Sequence, residues 1–411
     1  MKIALIADDL TGRNDCALQW FRRGFDVRLP EPATLDETLA PDGEGQAQLI
    51  AVDADSRYLS PAEAYRRVSG LIDRMKQADI AIWFKKIDST LRGNLDTELA
   101  AFLDRLSFEW VVIHPGFPAG GRTVADGRLY VDGVLWPVEG RGCVAIAELF
   151  SPDNPGKVGH LRQPDYMDDD MLRGKLERLR REDARLLVVD ATTEAELDRC
   201  VRRLRAVSDR ILWVGSLGLA SALAGTLPGA GGASAAAPRL DPSDKPFLFV
   251  AGSYNAKARE QIRDFLRRRP CEVVDVDPAE VETDRLIRQT ERALGRGLPV
   301  IVRTIPPDEA HGARLDRKAQ LRLAGVLGTI ASALVRTGAT ERILATGGDT
   351  ARAIIDRLDA TSTAIVGEIE PGVPALAVRP FRNLVMVTKA GGFGSIEVFS
   401  NMVETIRRWE G

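Results

Sequence analysis

The stretch FKKIDSTLRG, residues 84 to 93, places two lysines, an aspartate, a serine, a threonine and an arginine in a turn between an apolar run and an amphipathic one. Capping a helix takes one polar side chain, so six of them point to a further task. Arginine can grip a carboxylate through two parallel hydrogen bonds, whereas lysine acts as a point charge. Strand alternation lets only one of Lys85 and Lys86 face a ligand.

Similar groups follow other apolar runs. In ADDLTGRND, Asp8 and Asp9 should point to opposite sides, one capping a helix and one facing a ligand, and Asn14 or Asp15 can cap the helix CALQWFRR. DADSRYLSPAEA offers Arg57, while its Ser60-Pro61 and Glu63 have the form of a helix start. HPGFPAGGRTVADG reads as a rigid Gly/Pro loop carrying Arg122. Arg57, Arg92 and Arg122 would serve an anion and Asp9 or Asp88 would serve hydroxyls, which suits a small hydroxylated carboxylic acid.

The second half of the chain puts glycine where the first puts charge. Gly252-Ser253 precedes Asn255, Gly347-Gly348 precedes Asp349 and Thr350, and Lys389 precedes Gly391, Gly392 and Gly394. Backbone N–H groups at such turns, and helix N-termini beside them, bind phosphates. Neither a Walker loop nor a dinucleotide fingerprint occurs, which leaves a nucleotide of unspecified type. In GEIEPGVPAL, Glu368 and Glu370 flank a Pro371-Gly372 turn. They read either as an acidic loop facing solvent or as carboxylates holding magnesium through water.

Ligands of open parallel sheets bind beyond the carboxyl ends of the strands, so the elements that must position these groups are strands. KIALIA, AQLIAVD, IAIWFKK, WVVIHP, RLLVVDA and RILWVGS are short apolar runs in the first half, and PFLFVAGS, CEVVDVD, LPVIVRT, RILATGG and LVMVTKAGG follow in the second. Helical stretches separate most of them, which predicts two α/β domains with largely parallel sheets; an acid site in one and a nucleotide site in the other would meet in an interdomain active-site cleft. Residues 225 to 245, rich in Gly, Ala, Pro and Ser, read as a linker between residues 1–224 and 246–411. Asp132-Gly133 in GRLYVDGVLW signals a local hairpin.

Composition narrows the class. The 411 residues are 45% hydrophobic and 28% charged, with a net charge of −3, which disfavours nucleic acid as a partner. No apolar run approaches the roughly 20 residues of a membrane span, and MKIALIADDL reads as a first strand, not as a signal peptide. The four cysteines form no close pair and the three histidines are scattered, so neither a disulfide framework nor a zinc site is expected. The expected location is the cytoplasm.

The motifs ADDLTG, the SR of DADSRYLSPAEA, KKIDSTLRGN, FPAGGRTVADGRLYVDG, GGDT, EIEPGVPAL and KAGGFGS occur in order along nearly the whole chain. Together they resemble the four-carbon acid sugar kinase family, whose members include threonate, erythronate and 3-oxo-tetronate kinases. The resemblance implies an N-terminal domain for the sugar acid, a C-terminal domain for ATP with Mg2+, and phosphoryl transfer to the terminal hydroxyl. By motif match the acid site falls on Asp9, Arg57, Lys86, Asp88 and Arg92. The ATP site falls on Ser253, Gly347, Gly348, Asp349, Thr350, Gly391, Gly392 and Gly394. Of the acid-site residues, Asp9, Asp88 and Lys86 would be catalytic, one aspartate deprotonating the hydroxyl and a lysine or arginine neutralising the γ-phosphate. Arg13 and Cys16 depart from the small or hydroxylated residues common in the family beside the acid site. A sensor that binds both ligands without turnover is the rival reading, with an oxidoreductase behind it. The assembly entertained is a homodimer.

Overall fold

The computed structural model describes residues 1–40, 48–151, 157–228, 239–252, 255–279, 281–305 and 316–411. The chain divides into two compact units, Met1–Ser234 and Ala235–Gly411.

The first unit is built on parallel strands: β1 (Lys2–Ala7), β2 (Asp26–Pro30), β3 (Gln48–Asp53), β4 (Ile80–Lys86) and β5 (Trp110–His114). A three-stranded antiparallel sheet follows, of β6 (Arg122–Ala125), β7 (Arg128–Val131) and β8 (Val134–Leu135), and then β9 (Val158–Leu161), β10 (Leu186–Val189) and β11 (Ile211–Gly215). The parallel strands lie in the order β9-β10-β5-β11-β4-β1-β3-β2. Central strands such as KIALIA are apolar after their first residue because helices cover both faces. The helix Pro61–Met75 buries Ala64, Val68, Leu71, Ile72 and Met75, spaced by three or four residues, and begins at the expected Ser60–Glu63 capping box. Its neighbour Leu95–Arg105 sends Phe102 edge-on against Trp83 of β4, 6.1 Å between centroids. Asp132 and Gly133, at φ 50° and 79°, turn the β7–β8 hairpin as the sequence predicts.

The second unit contains β12 (Phe247–Ala251), β13 (Glu272–Val276), β14 (Val300–Thr304), β15 (Arg342–Thr346), β16 (Ser362–Glu370), β17 (Val373–Arg379) and β18 (Val385–Lys389). Their order is β13-β14-β12-β15-β18-β17-β16, parallel as far as β18 and antiparallel beyond it. Phe249 packs against Phe265 and Phe399 at 4.8 and 5.0 Å. Buried Arg342 ties the end of the predicted linker to this unit. It donates to the Asp241 and Asn383 carbonyls and to Glu410. Residues 229–238 of that linker lie outside the described residues.

Two expectations change here. GEIEPGVPAL is not an acidic loop: Pro371-Gly372 turns the hairpin between β16 and β17, with Glu370 in register with Val373. Its glutamates hid a strand whose other positions alternate. β2 and β9 were likewise unread, because neither DVRLP nor VGHL is an unbroken apolar run.

In each unit the chain reverses direction across the sheet at its first strand. After β1 the chain builds β2 and β3 on one side and β4 on the other. After β12 it builds β13 and β14 on one side and β15 on the other. Loops diverge at such a point and leave room for a ligand. In the second unit the helix Gly348–Arg357 starts there and is backed by Arg317–Arg336. The two helices approach so closely that a Cβ on Gly328 would lie 2.6 Å from the Ala353 carbonyl oxygen. Gly328→Val is expected to destabilise the chain by about 1–3 kcal/mol, the usual range for overpacking. A thermal unfolding scan that matches the unaltered chain would show that the approach is not tight.

Candidate active site

At the carboxyl edge of the first sheet, Ala7 of β1 is in register with Asp53 of β3 and with Lys86 of β4. The loops after these three strands carry the crowded polar residues. Asp9, in extended conformation, is the N-cap of the helix Leu10–Phe21. Its Oδ1 accepts from the Gly12 N–H at 3.0 Å and its Oδ2 from the Thr11 hydroxyl at 2.6 Å. Asn14 and Asp15, expected as caps, are instead inside the helix, because Asp9 starts it earlier.

Arg57 joins the three loops. Its Nε donates to Asp8 at 2.6 Å and its Nη2 to Asp9 at 2.7 Å, with Asp88 Oδ1 at 3.7 Å from the same nitrogen. Arg92 forks onto Asp88 with two bonds of 2.8 Å, and Asp88 also accepts from the Thr90 N–H and hydroxyl. Burial alone would raise both carboxylates. Arg57 and Lys86 beside Asp9 outweigh it and hold that group below its ordinary value. Arg57 and Arg92 hold Asp88 well below.

The two lysines separate as alternation requires. Lys85 turns to Glu98, 2.5 Å away, inside a buried pair whose other glutamate oxygen takes the Ser56 hydroxyl. Lys86 lies on the opposite side, against Gly12. A side chain on Gly12 would collide with Lys86 Nζ and would come within 2.5 Å of Asp9 Oδ1, so this glycine is required for close approach. Burial pulls the Lys86 ammonium down, but Asp15, Asp8 and Asp9 raise it above its ordinary value. Arg122 shares the neighbourhood: burial lowers its guanidinium against the fields of Asp88, Asp132 and Asp15. Asp9, Arg57, Lys86, Asp88 and Arg92 are therefore brought together. Arg13 is spent elsewhere, on Asn14, the Pro30 carbonyl and Glu31.

Asp15 was read in the sequence only as a cap. It is 8% exposed, and its Oδ1 is buried with no hydrogen-bond partner. Burial raises its pKa to about 7. A tract rich in Asp and Asn gave no signal to single it out.

The second unit places its glycines at the ends of β12, β15 and β18, in register at Ala251, Thr346 and Lys389. Ser253 lies outside the described residues. Gly347 has φ 104°, a backbone conformation that favours glycine, and caps the helix Gly348–Arg357 with no side-chain bond to its first N–H groups. Asp349 forms a two-bond pair with Arg317 at 2.6 and 2.7 Å, and Thr350 is buried against Gly252. The loop holding Gly391, Gly392 and Gly394 is clamped twice. Gln261 donates to the carbonyls of Phe393, Gly394 and Ser395, and Glu370 accepts from Ser395 and Asn401. Glu368 accepts from the Gly372 N–H at 2.9 Å. Lys389 is buried and donates to Thr346 and to the Gly391 carbonyl, each at 3.2 Å, and burial pulls it down to about 7. Among the described residues no group of three or more His, Cys, Asp or Glu side chains is placed to hold a metal ion, and no helix is long and apolar enough to cross a membrane.

Residues 3–223 match a sugar-binding N-terminal domain and residues 248–399 a nucleotide-binding C-terminal domain. The chain belongs to the four-carbon acid sugar kinase family. A D-threonate kinase of Bordetella bronchiseptica is 31% identical over 98% of this chain and 97% of its own length. A D-threonate kinase of Cupriavidus necator is 32% identical over 96% and 95%. A 3-oxo-tetronate kinase of the same organism is 26% identical over 98% and 97%. A solved structure from Haemophilus influenzae has the same fold, with TM-score 0.71 at 22% identity over 98% of this chain and 99% of that one.

Because the folded-state values of Asp9 and Asp88 are lowered, their stabilisation is present above the ordinary carboxylate range and is lost as pH falls through those lowered values. Removing one partner from a buried charge cluster typically costs about 3–5 kcal/mol. Arg57→Met should therefore unfold more readily at pH 7, and its acid unfolding midpoint should move up. Urea titrations between pH 3 and 7 would detect both shifts, and an unmoved acid midpoint would contradict this role for Arg57.

Proposed function

We propose that this chain is an ATP-dependent kinase for the terminal hydroxyl of a four-carbon sugar acid, with D-threonate the first candidate. The carrying observation is the convergence of Asp9, Arg57, Lys86, Asp88 and Arg92 at the reversal point of a sheet that matches a sugar-binding domain. D-threonate leads because the relatives of that name share 31% and 32% identity with this chain, against 26% for the 3-oxo-tetronate kinase.

In this reading residues 1–224 hold the acid, 246–411 hold ATP, and 225–245 link them. Asp9 and Asp88, kept ionised, accept hydrogen bonds from substrate hydroxyls. Arg92, with 40% of its side chain exposed, reaches the substrate carboxylate beside Arg57. Lys86 offsets charge on the phosphoryl group in transit. Such transfer depends mainly on positioning and charge stabilisation, which these fixed ion pairs can supply. Gly347, Gly348, Asp349, Thr350, Gly391, Gly392 and Gly394 line the phosphate site. Mg2+ fits as a companion of the nucleotide held mainly by phosphate and water, since Glu368 already accepts from the Gly372 N–H and Glu370 from Ser395 and Asn401.

A coupled ADP-release screen over both enantiomers of threonate and erythronate, with their 2- and 3-oxo forms, tests the proposal. Release with D-threonate above the others is expected. Nucleotide and acid binding without release from any of them would favour the sensor reading. The nucleotide half makes a separate prediction. A lysine titrating near 7 is largely neutral at pH 8, and adjacent phosphates would draw a proton onto it. ATP binding at pH 8 should then take up protons, seen as a calorimetric enthalpy that varies with the ionisation enthalpy of the buffer. Lys389→Met should lose most of that variation, and an unchanged variation would remove Lys389 from the phosphate site.

A further inference from the structure

We infer that Asp15 is the group that accepts the proton of the substrate hydroxyl as the phosphoryl group arrives. The inference rests on the kinase reading above and names a residue within the same site.

The argument starts from placement. Gly12, Asp15 and Cys16 share one face of the helix Leu10–Phe21, since residues three and four apart are neighbours there. Gly12 is the point against which the Lys86 ammonium rests. Asp15 is the carboxylate that raises Lys86 most, ahead of Asp8 and Asp9. The field of Arg122 also feels Asp15. Asp15 thus borders the cluster that binds the acid, yet takes no part in its ion-pair lattice. Buried carboxylate oxygens are ordinarily hydrogen-bonded, and its unpartnered Oδ1 calls for a donor. A substrate hydroxyl is such a donor.

Chemistry separates the three carboxylates. Asp9 and Asp88 are bound by guanidinium groups that oppose protonation, so they are weak proton acceptors. A general base works best when its pKa lies near the working pH. Asp15, raised to about 7 by burial, meets that condition. The groups facing it are Lys86 from β4, Arg122 from β6, Asp9 at the helix start, and Cys16 beside it on the helix, whose thiol and N–H hydrogen-bond to the carboxylate. The helix Leu217–Ala224 packed alongside contributes no ionisable side chain. In the step itself the hydroxyl O–H bond breaks and its proton moves to the Asp15 carboxylate. The oxygen forms a bond to the γ-phosphorus, and the bond to the β-bridging oxygen breaks with its electron pair leaving on ADP.

The test compares the unaltered chain with Asp15→Asn and Asp15→Glu, using the acid that gives most ADP release. Asp15→Asn should lower kcat by about 100-fold or more, the scale of a lost general base. Its dissociation constant for the acid, measured by calorimetry, should change less than threefold. The acidic limb of the kcat profile near pH 7 should vanish in Asp15→Asn, and Asp15→Glu should restore part of the rate together with that limb. Asp15→Asn is neutral and of the same shape, and its thermal midpoint should equal or exceed that of the unaltered chain at pH 7. Near-normal kcat in Asp15→Asn with the limb intact would overturn the inference and leave the kinase reading standing. So would a loss carried wholly by acid affinity. No release by the unaltered chain with any acid would overturn both.

Discussion

The first unit depends on one guanidinium. Arg57 stands between Asp8, Asp9 and Asp88, carboxylates from two loops that would otherwise repel one another in a poorly solvated space. Its position midway along the loop after β3 brings a cation to carboxylates that follow β1 and β4. With those charges balanced, Asp9 can cap a helix, Asp88 can hold the 88–92 turn, and Arg92 can keep a defined direction while partly exposed. Gly93, at φ 96°, belongs to the same arrangement: a Cβ there would meet Arg57 at 3.1 Å. Such a lattice suits a site that must present hydrogen-bond acceptors without moving, because preorganised groups do not reorganise as charge develops.

The second unit solves a different problem by different means. A polyphosphate needs N–H donors and space more than it needs aspartates, and the loops after β12, β15 and β18 supply both. Their weakness is that glycine-rich chain has little to hold it in place. Gln261 and Glu370 make up for this by bonding to the backbone and side chains of residues 393 to 401. Glu370, which the sequence left open between an acidic loop and a magnesium carboxylate, accepts from Ser395 and Asn401 and so anchors this segment, and Asp349 is steadied in the same way by Arg317. The buried Lys389 is the one cation the sequence showed plainly among these glycines.

Much of the architecture was legible because parallel strands covered on both faces leave unbroken apolar runs, and eleven such runs are strands in the structure. The reading failed where burial was partial. The mixed DVRLP of β2 and the glutamates of β16 carry no unbroken run, and β16 takes its place by pairing with β17 rather than by its own composition.

By itself the sequence determined the alternation of strands and helices, the Asp132-Gly133 turn, the capping box at Ser60, and the residue types gathered after each strand. It also carried the family, through motifs spread in order along the chain. Only the tertiary structure decided how those residues divide their work. Strand alternation said that Lys85 and Lys86 part company, but the position of Glu98 on a later helix decided which lysine would be spent in a buried pair. The three aspartates of ADDLTGRND could not be told apart chemically from the sequence. The register of β1 with β3 and β4 gave Asp8 and Asp9 to Arg57, and Glu31 drew Arg13 aside; Asp8 and Asp15 each keep a buried oxygen unpartnered, but Asp8 is held by Arg57 through its other oxygen and Asp15 is not. A carboxylate's chemistry is set by the charges and solvent around it, and those come from segments far apart in the chain.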